Sequence, residues 1–529
     1  MNDSQERVFS FLETPAPEGG ADGKAVRIDT HANAVFLSGD TALKVKRAVK
    51  FPFLDYSTLE KRRDACEREI ACNARFAPGL YLGVVGITET ANGRLALDGD
   101  GPAIEYAVRM RRFDETRTLD RIAEAGPFDD TLTDALARMM VAAHEAAPRR
   151  ESGPWIADLA AYVEQNDAAL HGAAELFAPA RVRQLTAAAR AWLARIKDLI
   201  EARGRLGLVR LCHGDAHLRN VALIDGRPVL FDAIEFDDAI ATGDVLYDLA
   251  FPIMDLWERG QQRAANRLFN RYFDFARREA DGDALAALPF YLSMRATIRA
   301  KIAAASAAQQ QDEAHRQAEQ AQARAYFDLA LAALEPDTPQ LVAIGGLSGT
   351  GKTTLANGLA PTLGRVPGAR VLRSDIERKA RLDLAETDKA PPEAYSQTAS
   401  DAVYQVLHEL ADRALAGGHS VVLDAVHAKQ AERAAARATA ARSEADFLGL
   451  WLEAGAATLK ARVETRRGDA SDANAAVVEI QLGYDPGPID WVRIDASDGP
   501  EKTLERALAA LSEPAGAGSR GNGDADGNG

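Results

Sequence analysis

Asp215 sits in the run His213-Gly214-Asp215-Ala216-His217-Leu218-Arg219-Asn220, and a second aspartate, Asp232, follows the apolar stretch ending at Phe231. Those types at that spacing suit phosphoryl transfer. A carboxylate can take the proton of an acceptor hydroxyl, while an amide oxygen and a second carboxylate can hold magnesium, which prefers hard oxygen ligands. On this reading Asp215 is the catalytic base and Asn220 and Asp232 are the metal ligands. Upstream, Ala42-Leu43-Lys44-Val45-Lys46 places Lys44 on a strand to anchor the nucleotide phosphates, and Glu69 on the next helix can hold that lysine in place. Lys46 competes for the same task, because alternate residues of a strand share a face.

A second and unrelated phosphate device lies about 130 residues further on. Gly346-Leu347-Ser348-Gly349-Thr350-Gly351-Lys352-Thr353, followed by Thr354, matches the glycine-rich loop that wraps phosphates in backbone N–H groups after an apolar strand and before a helix. Gly346, Ser348, Gly349, Thr350, Gly351, Lys352 and Thr354 are therefore expected to line the ATP phosphates, and Thr353 to ligate magnesium. The strand ending in Asp424 is followed by Ala425, not by the second acid that would polarise a water for hydrolysis. Asp375 and Arg378 lie just past another strand, and Arg462, Arg466 and Arg467 on a later helix and loop. An aspartate to orient an acceptor hydroxyl and arginines to neutralise the moving phosphoryl group are what a small kinase requires, so Asp375, Arg378, Arg462 and Arg466 join Asp215 as candidate catalytic residues.

The elements that must position these groups follow from local pattern. The first hundred residues read β-β-β-α-β-β, with a hairpin turn at Ser38-Gly39-Asp40, a helix through the segment around Glu69, and strands near Tyr81–Ile87 and Ile104–Phe113. Helical pattern runs from about Leu132 to Arg203 and, after the Asp215 segment, to about Leu334. Glu335–Gln340 has linker composition, and beyond it strands such as Leu341–Gly345 and Ser420–Asp424 alternate with helices, the signature of a parallel sheet. The expected organisation is an N-terminal segment over 1–24, a first kinase domain over 25–334, a linker over 335–340, a second domain over 341–512 and a disordered glycine-rich tail over 513–529.

A chain of 529 residues exceeds what one core organises, which accommodates two such domains. A net charge of −15 argues against a nucleic-acid partner. The three cysteines, Cys66, Cys72 and Cys212, have no metal-ligand spacing and read as reduced thiols. With no signal peptide and no apolar run long enough to span a bilayer, a cytoplasmic protein without membrane association is expected.

On the residues quoted, positions 25 to about 330 resemble the aminoglycoside phosphotransferase and choline kinase branch of the protein-kinase-like fold. The resemblance implies a bilobal α+β domain with Asp215, Asn220, Asp232, Lys44 and Glu69 in the roles given above. It further implies Asp248 as a brace for the catalytic loop and Met110–Phe113 as the hinge that meets adenine. The chain departs from protein kinases in having no glycine-rich loop before Lys44, and Ala-Ile rather than Phe-Gly after Asp232, which points to a small-molecule hydroxyl as acceptor. Residues 340 to 511 resemble gluconate, adenylylsulfate and polynucleotide kinases, α/β P-loop proteins with a parallel sheet. With the Phe51–Arg63 segment and the Arg466–Ala473 stretch, the whole is similar to bacterial bifunctional aminoglycoside phosphotransferase/ATP-binding proteins.

The leading expectation is an ATP- and Mg2+-dependent phosphotransferase with two active domains. A regulatory ATPase in which one or both domains are non-catalytic, and a nucleic-acid end kinase, are the alternatives. The acceptors and the oligomeric state stay open.

Overall fold

The computed structural model describes residues 3–14, 25–51, 54–465 and 469–512. The sequence expectations for the 513–529 tail and for Arg466 and Arg467 lie outside those residues. The chain divides into two compact units, one of residues 1–276 with 290–334, the other of residues 277–289 with 335–529.

In the first unit six antiparallel strands run in the order Val26–Asp29, Asn33–Ser38, Thr41–Lys46, Ala103–Arg111, Tyr81–Glu89, Leu95–Leu97. Gly39 makes the tight hairpin between the second and third in a left-handed conformation. Strand alternation then separates two cores. Val45 and Phe36 point to one face, where Val8, Phe9 and Leu12 of a helix over Asp3–Leu12 cover them. Ala42 points to the other face, against Cys66 of the helix Leu59–Asn73, and period-2 alternation sends Lys44 and Lys46 the same way. That helix starts where the Thr58 hydroxyl accepts the Lys61 N–H. The N-terminal helix was not anticipated from sequence. Outside that sheet the unit is mostly helical, with three short antiparallel pairs, Lys50–Phe51 with Leu54–Asp55, Val221–Ile224 with Arg227–Leu230 and Val209–Leu211 with Thr242–Asp244, the last two carrying the loop that contains Asp215.

The second unit is built on five parallel strands ordered Arg370–Arg373, Val421–Asp424, Gln340–Gly345, Asp446–Glu453, Val492–Asp495. The central strands are buried on both faces and read as unbroken apolar runs, Leu341–Ile344 and Val421–Leu423. Leu355 and Leu359 of the helix after the P-loop pack on them with Ile494 and Ala507. Residues 277–289 join this unit through the Leu285 carbonyl, which faces His419 Nε2 at 3.1 Å, and through Arg413, which donates to the Glu279 carbonyl.

His427 lies at the end of the Asp424 strand segment, fully buried between Tyr404 and Trp491 with ring centroids 5.4 and 5.2 Å away. Neither of its ring nitrogens has a hydrogen-bond partner among the described residues. Burial, with the positive charges of Lys352 and Arg433 nearby, pushes its pKa down to about 3. The folded state therefore keeps His427 neutral, while the unfolded chain takes up a proton below about pH 6.5. Its contribution is intact above that value and is lost as pH falls toward 3. His427→Phe fills the same aromatic slot without a titrating group. The substitution is expected to stabilise the second unit by about 1.4 kcal/mol more near pH 5.5 than near pH 7.5. Urea-dependent hydrogen exchange of peptides from the Gln340–Gly345 and Val421–Asp424 strands measures it, and equal effects at both pH values would contradict a permanently neutral His427.

Candidate active sites

In the first unit the strand Thr41–Lys46, the helix Leu59–Asn73 and the Asp232 turn bring five charges together. Lys44 Nζ donates to Glu69 Oε1 at 2.9 Å and to Asp232 Oδ1 at 2.6 Å. Lys46 Nζ lies 2.6 Å from Glu69 Oε2 and donates to Glu235 Oε1 at 2.6 Å, where the Tyr56 hydroxyl also donates. Glu69 is wholly buried and Lys46 only 1% exposed, whereas the Asp232 side chain is 46% exposed. The geometry thus separates the lysines that the strand pattern could not: Lys44 touches Asp232, the candidate metal carboxylate, and Lys46 ties Glu69 to Glu235 in the interior. Burial opposes the charged form of each, but opposite charges prevail. Lys44 is raised well above its usual pKa by Asp232 and Glu69, and Glu69 is lowered by Lys44 and Lys46.

The loop carrying Asp215 is braced from behind. Asp248 Oδ1 accepts the Gly214 N–H at 2.9 Å, and its other oxygen faces His144 Nε2 at 3.3 Å. Asp255 accepts the Leu218 N–H. Asn220 Nδ2 donates to the Asp215 backbone oxygen at 3.0 Å and to its carboxylate at 3.2 Å. Burial pushes the Asp215 pKa up, yet His217 at 3.3 Å, with His213 and Arg299, holds it below the usual carboxylate range. His217 is therefore an ionic partner of the candidate base. Its i+2 spacing from Asp215 was the available signal. Asp232 adopts a left-handed backbone, φ 62°, and its N–H donates to the Tyr81 hydroxyl, a contact with no sequence signature. The half-exposed Asp232 carboxylate and the Asn220 side-chain oxygen, on a residue whose backbone carbonyl accepts the Phe231 N–H, are the all-oxygen donors that suit Mg2+. His144, Cys212 and Asp248 are the one cluster of three metal-capable side chains among the described residues. Burial holds the Cys212 thiol neutral, which suits packing and not ligation.

In the second unit the P-loop wraps between the strand Gln340–Gly345 and the helix Lys352–Leu359. Gly349, φ 86°, leaves no room for a side chain, since a Cβ there would lie 2.6 Å from the Leu459 carbonyl oxygen. Lys352 Nζ donates to the Leu347 carbonyl. The Thr353 hydroxyl donates to Asp424 Oδ2 at 2.6 Å, so the expected magnesium ligand already meets a carboxylate, and the pair fits the metal chemically. The Ser348 N–H donates to Gln481 Oε1 at 2.7 Å, a contact from a distant helix that sequence did not suggest.

From Asp424 the polar network continues to the acceptor side. Arg373 lies 3.4 Å from Asp424 and 2.7 Å from Asp469. Asp375 shares a side-chain hydrogen bond with Ser471, and burial raises its pKa above the usual range despite that bond and Arg373. Arg378 donates to the Ala394 carbonyl and lies over the Tyr395 ring at 4.8 Å. Arg462 donates to the carbonyls of Ala496 and Ser497, at the end of the last strand.

Residues 31–283 match the family model described as Phosphotransferase enzyme family, and residues 341–484 match that of an AAA domain. An uncharacterized protein of Mycobacterium tuberculosis is 29% identical over 514 residues, covering 94% of this chain and 98% of that one, and one of Mycobacterium bovis matches to the same extent. Among solved structures, a choline/ethanolamine kinase family protein from Mesorhizobium loti is 17% identical, covering 63% of this chain and 99% of its own with a TM-score of 0.35. The Mycobacterium tuberculosis APS kinase is 19% identical, covering 34% of this chain and all of its own with a TM-score of 0.26. The chain thus joins a region similar to the phosphotransferase enzyme family to a second region similar to an AAA domain.

Proposed function

We propose that both units transfer the terminal phosphoryl group of ATP to a hydroxyl group of a small molecule. The observation that supports this most is the Lys44 ammonium held on Glu69 and Asp232 together, which sets the phosphate anchor beside the metal carboxylate before any nucleotide arrives. Two ammonium groups, Lys44 and Lys46, face three carboxylates, Glu69, Asp232 and Glu235, so the cluster is short of one positive charge. Magnesium held by Asn220 and Asp232 in the first unit, and by Thr353 with Asp424 in the second, would neutralise phosphate charge as it shifts toward the leaving ADP.

The chain's own groups do the rest. In the first unit Asp215, kept ionised by His217, orients the acceptor hydroxyl and takes its proton while the hydroxyl oxygen captures the phosphoryl group. In the second unit Asp375 has the same task, and Arg373 and Arg378 lie close enough to balance charge on the acceptor side. The absence of an acid at Ala425 favours transfer to an acceptor over transfer to water.

Asp215→Asn is expected to lower transfer by the first unit by ~10²-fold or more while nucleotide affinity changes only a few-fold, because the base touches the acceptor and not the triphosphate. Phosphoester formation from labelled ATP in a metabolite pool, with calorimetry for binding, checks both halves. Asp375→Asn with Arg378→Ala should do the same to the products of the second unit. Full product formation in that double variant would refute the kinase reading of the P-loop domain. The two bases also differ in pH response. Asp215 is held below its usual pKa and Asp375 above it, so as pH falls the second unit's products should decline first.

The two lysines should separate cleanly as well. Lys46→Met strands two buried carboxylates and is expected to cost about 3–5 kcal/mol of stability. Lys44→Met leaves Asp232 open to solvent, so it should cost less stability but lower transfer by ~10²-fold. Chemical denaturation beside the transfer assay distinguishes them.

A further inference from the structure

Three groups of the loop over Asp469–Asp472 sit on three groups at and beyond the end of the Arg370–Arg373 strand, the acceptor side of the proposed reaction. Asp469 pairs with Arg373 at 2.7 Å, the Ser471 side chain is hydrogen-bonded to Asp375, and Asp472 is gripped by three donors. Lys379 Nζ donates to Asp472 Oδ1 at 2.9 Å, and the Tyr395 hydroxyl and the Ala390 N–H donate to Oδ2 at 2.7 and 2.9 Å. Lys379 is 1% exposed, and its Nζ also donates to the Glu386 carbonyl at 2.7 Å, so a buried cation is fixed at a point where an anion has to meet it. Beside it, Arg378 Nε is buried without a hydrogen-bond partner among the described residues.

The pattern is that of a small molecule: one hydroxyl on the candidate base, with an anionic group on either side, each met by a cation. The first of these contacts continues to the P-loop, through Arg373 to Asp424 and from Asp424 to Thr353. We infer that residues 469–472 act as an internal stand-in for the acceptor, and that Lys379, Tyr395 and the Ala390 N–H form a receptor for an anionic group carried by the acceptor of the P-loop domain. The acceptor is then a hydroxyl compound bearing a carboxylate, phosphate or sulfate, which displaces Asp472 from the receptor and Ser471 from Asp375. This deepens the kinase reading of the second unit and rests on it for the meaning of the site, though the anion receptor itself can be measured without any transfer.

The probe is inorganic phosphate, titrated calorimetrically into the full chain with magnesium and a saturating non-hydrolysable ATP analogue, so that the P-loop is already filled. Asp472→Ala vacates the receptor and should bind phosphate at least ~10-fold more tightly than the unaltered protein, the scale of two or three charge-assisted hydrogen bonds. Adding Lys379→Met or Tyr395→Phe should remove most of that gain. Equal phosphate affinity with and without Asp472→Ala, or a gain that survives the loss of Lys379, overturns the inference. Should Asp472→Ala not fold, Asp472→Asn keeps the hydrogen-bond acceptor while losing the charge and should still gain a few-fold, and no gain there is equally fatal. A carboxylate probe such as acetate and sulfate, run beside phosphate, rank the anion classes. Phosphate binding that follows this pattern, in a protein whose Asp375→Asn variant transfers normally, would leave the receptor standing and remove the kinase reading alone.

Discussion

A carboxylate with no access to water has to be neutralised where it lies, and in the first unit that carboxylate is Glu69. Two ammonium groups meet it, Lys44 on one oxygen and Lys46 on the other. The pairing requires a strand that presents alternate residues to one face and a helix whose inward residue arrives opposite them. It also requires the turn after Phe231 to deliver Asp232 and Glu235 to the far side of the lysines. Desolvation makes each of these charges expensive alone, so the strand, helix and turn are mutually dependent. On the function proposed, the charge this cluster is short of is the one that a nucleotide-bound metal would bring.

The second unit achieves the same end by other means. Its candidate phosphate site offers backbone N–H groups and a helix N-terminus, so glycines replace the buried ion pairs. Its charged residues gather instead on the acceptor side, where Arg373, Asp375, Arg378 and Lys379 come from one strand end and the first turns of the following helix. Four charged side chains within seven residues can be aimed at one place because the strand fixes the origin and the helix fans them out. Burial lifts the pKa of Asp375, which suits a group that must accept a proton.

Particular residues mark the limit of what pattern could reveal. Lys44 and Lys46 share a strand face, so spacing alone left the anchor ambiguous; the choice depends on which one reaches Asp232 across 188 positions of chain. Ser471 and Asp375 are 96 positions apart and meet only because the parallel sheet folds the later loop back over the earlier strand end. Gln481 on the Ser348 N–H and Tyr81 beneath Asp232 are long-range contacts of the same kind. The helix Asp3–Leu12 was missed because a ten-residue amphipathic stretch is stable only on the sheet that covers its Val8 and Phe9 face.

By itself the sequence determined that two phosphate-handling devices exist, their order, their classes and the residue types each employs. Those follow from short-range rules: glycines where a loop must wrap phosphate, alternation along strands, and carboxylate and amide at fixed spacing on one loop. Tertiary structure alone decided which lysine reaches Asp232, which loop covers the Asp375 side, and that Arg277–Pro289 belongs to the second unit. Each of these depends on desolvating charges and apolar faces against partners far away in the chain, and no local pattern records which partner a buried group will meet.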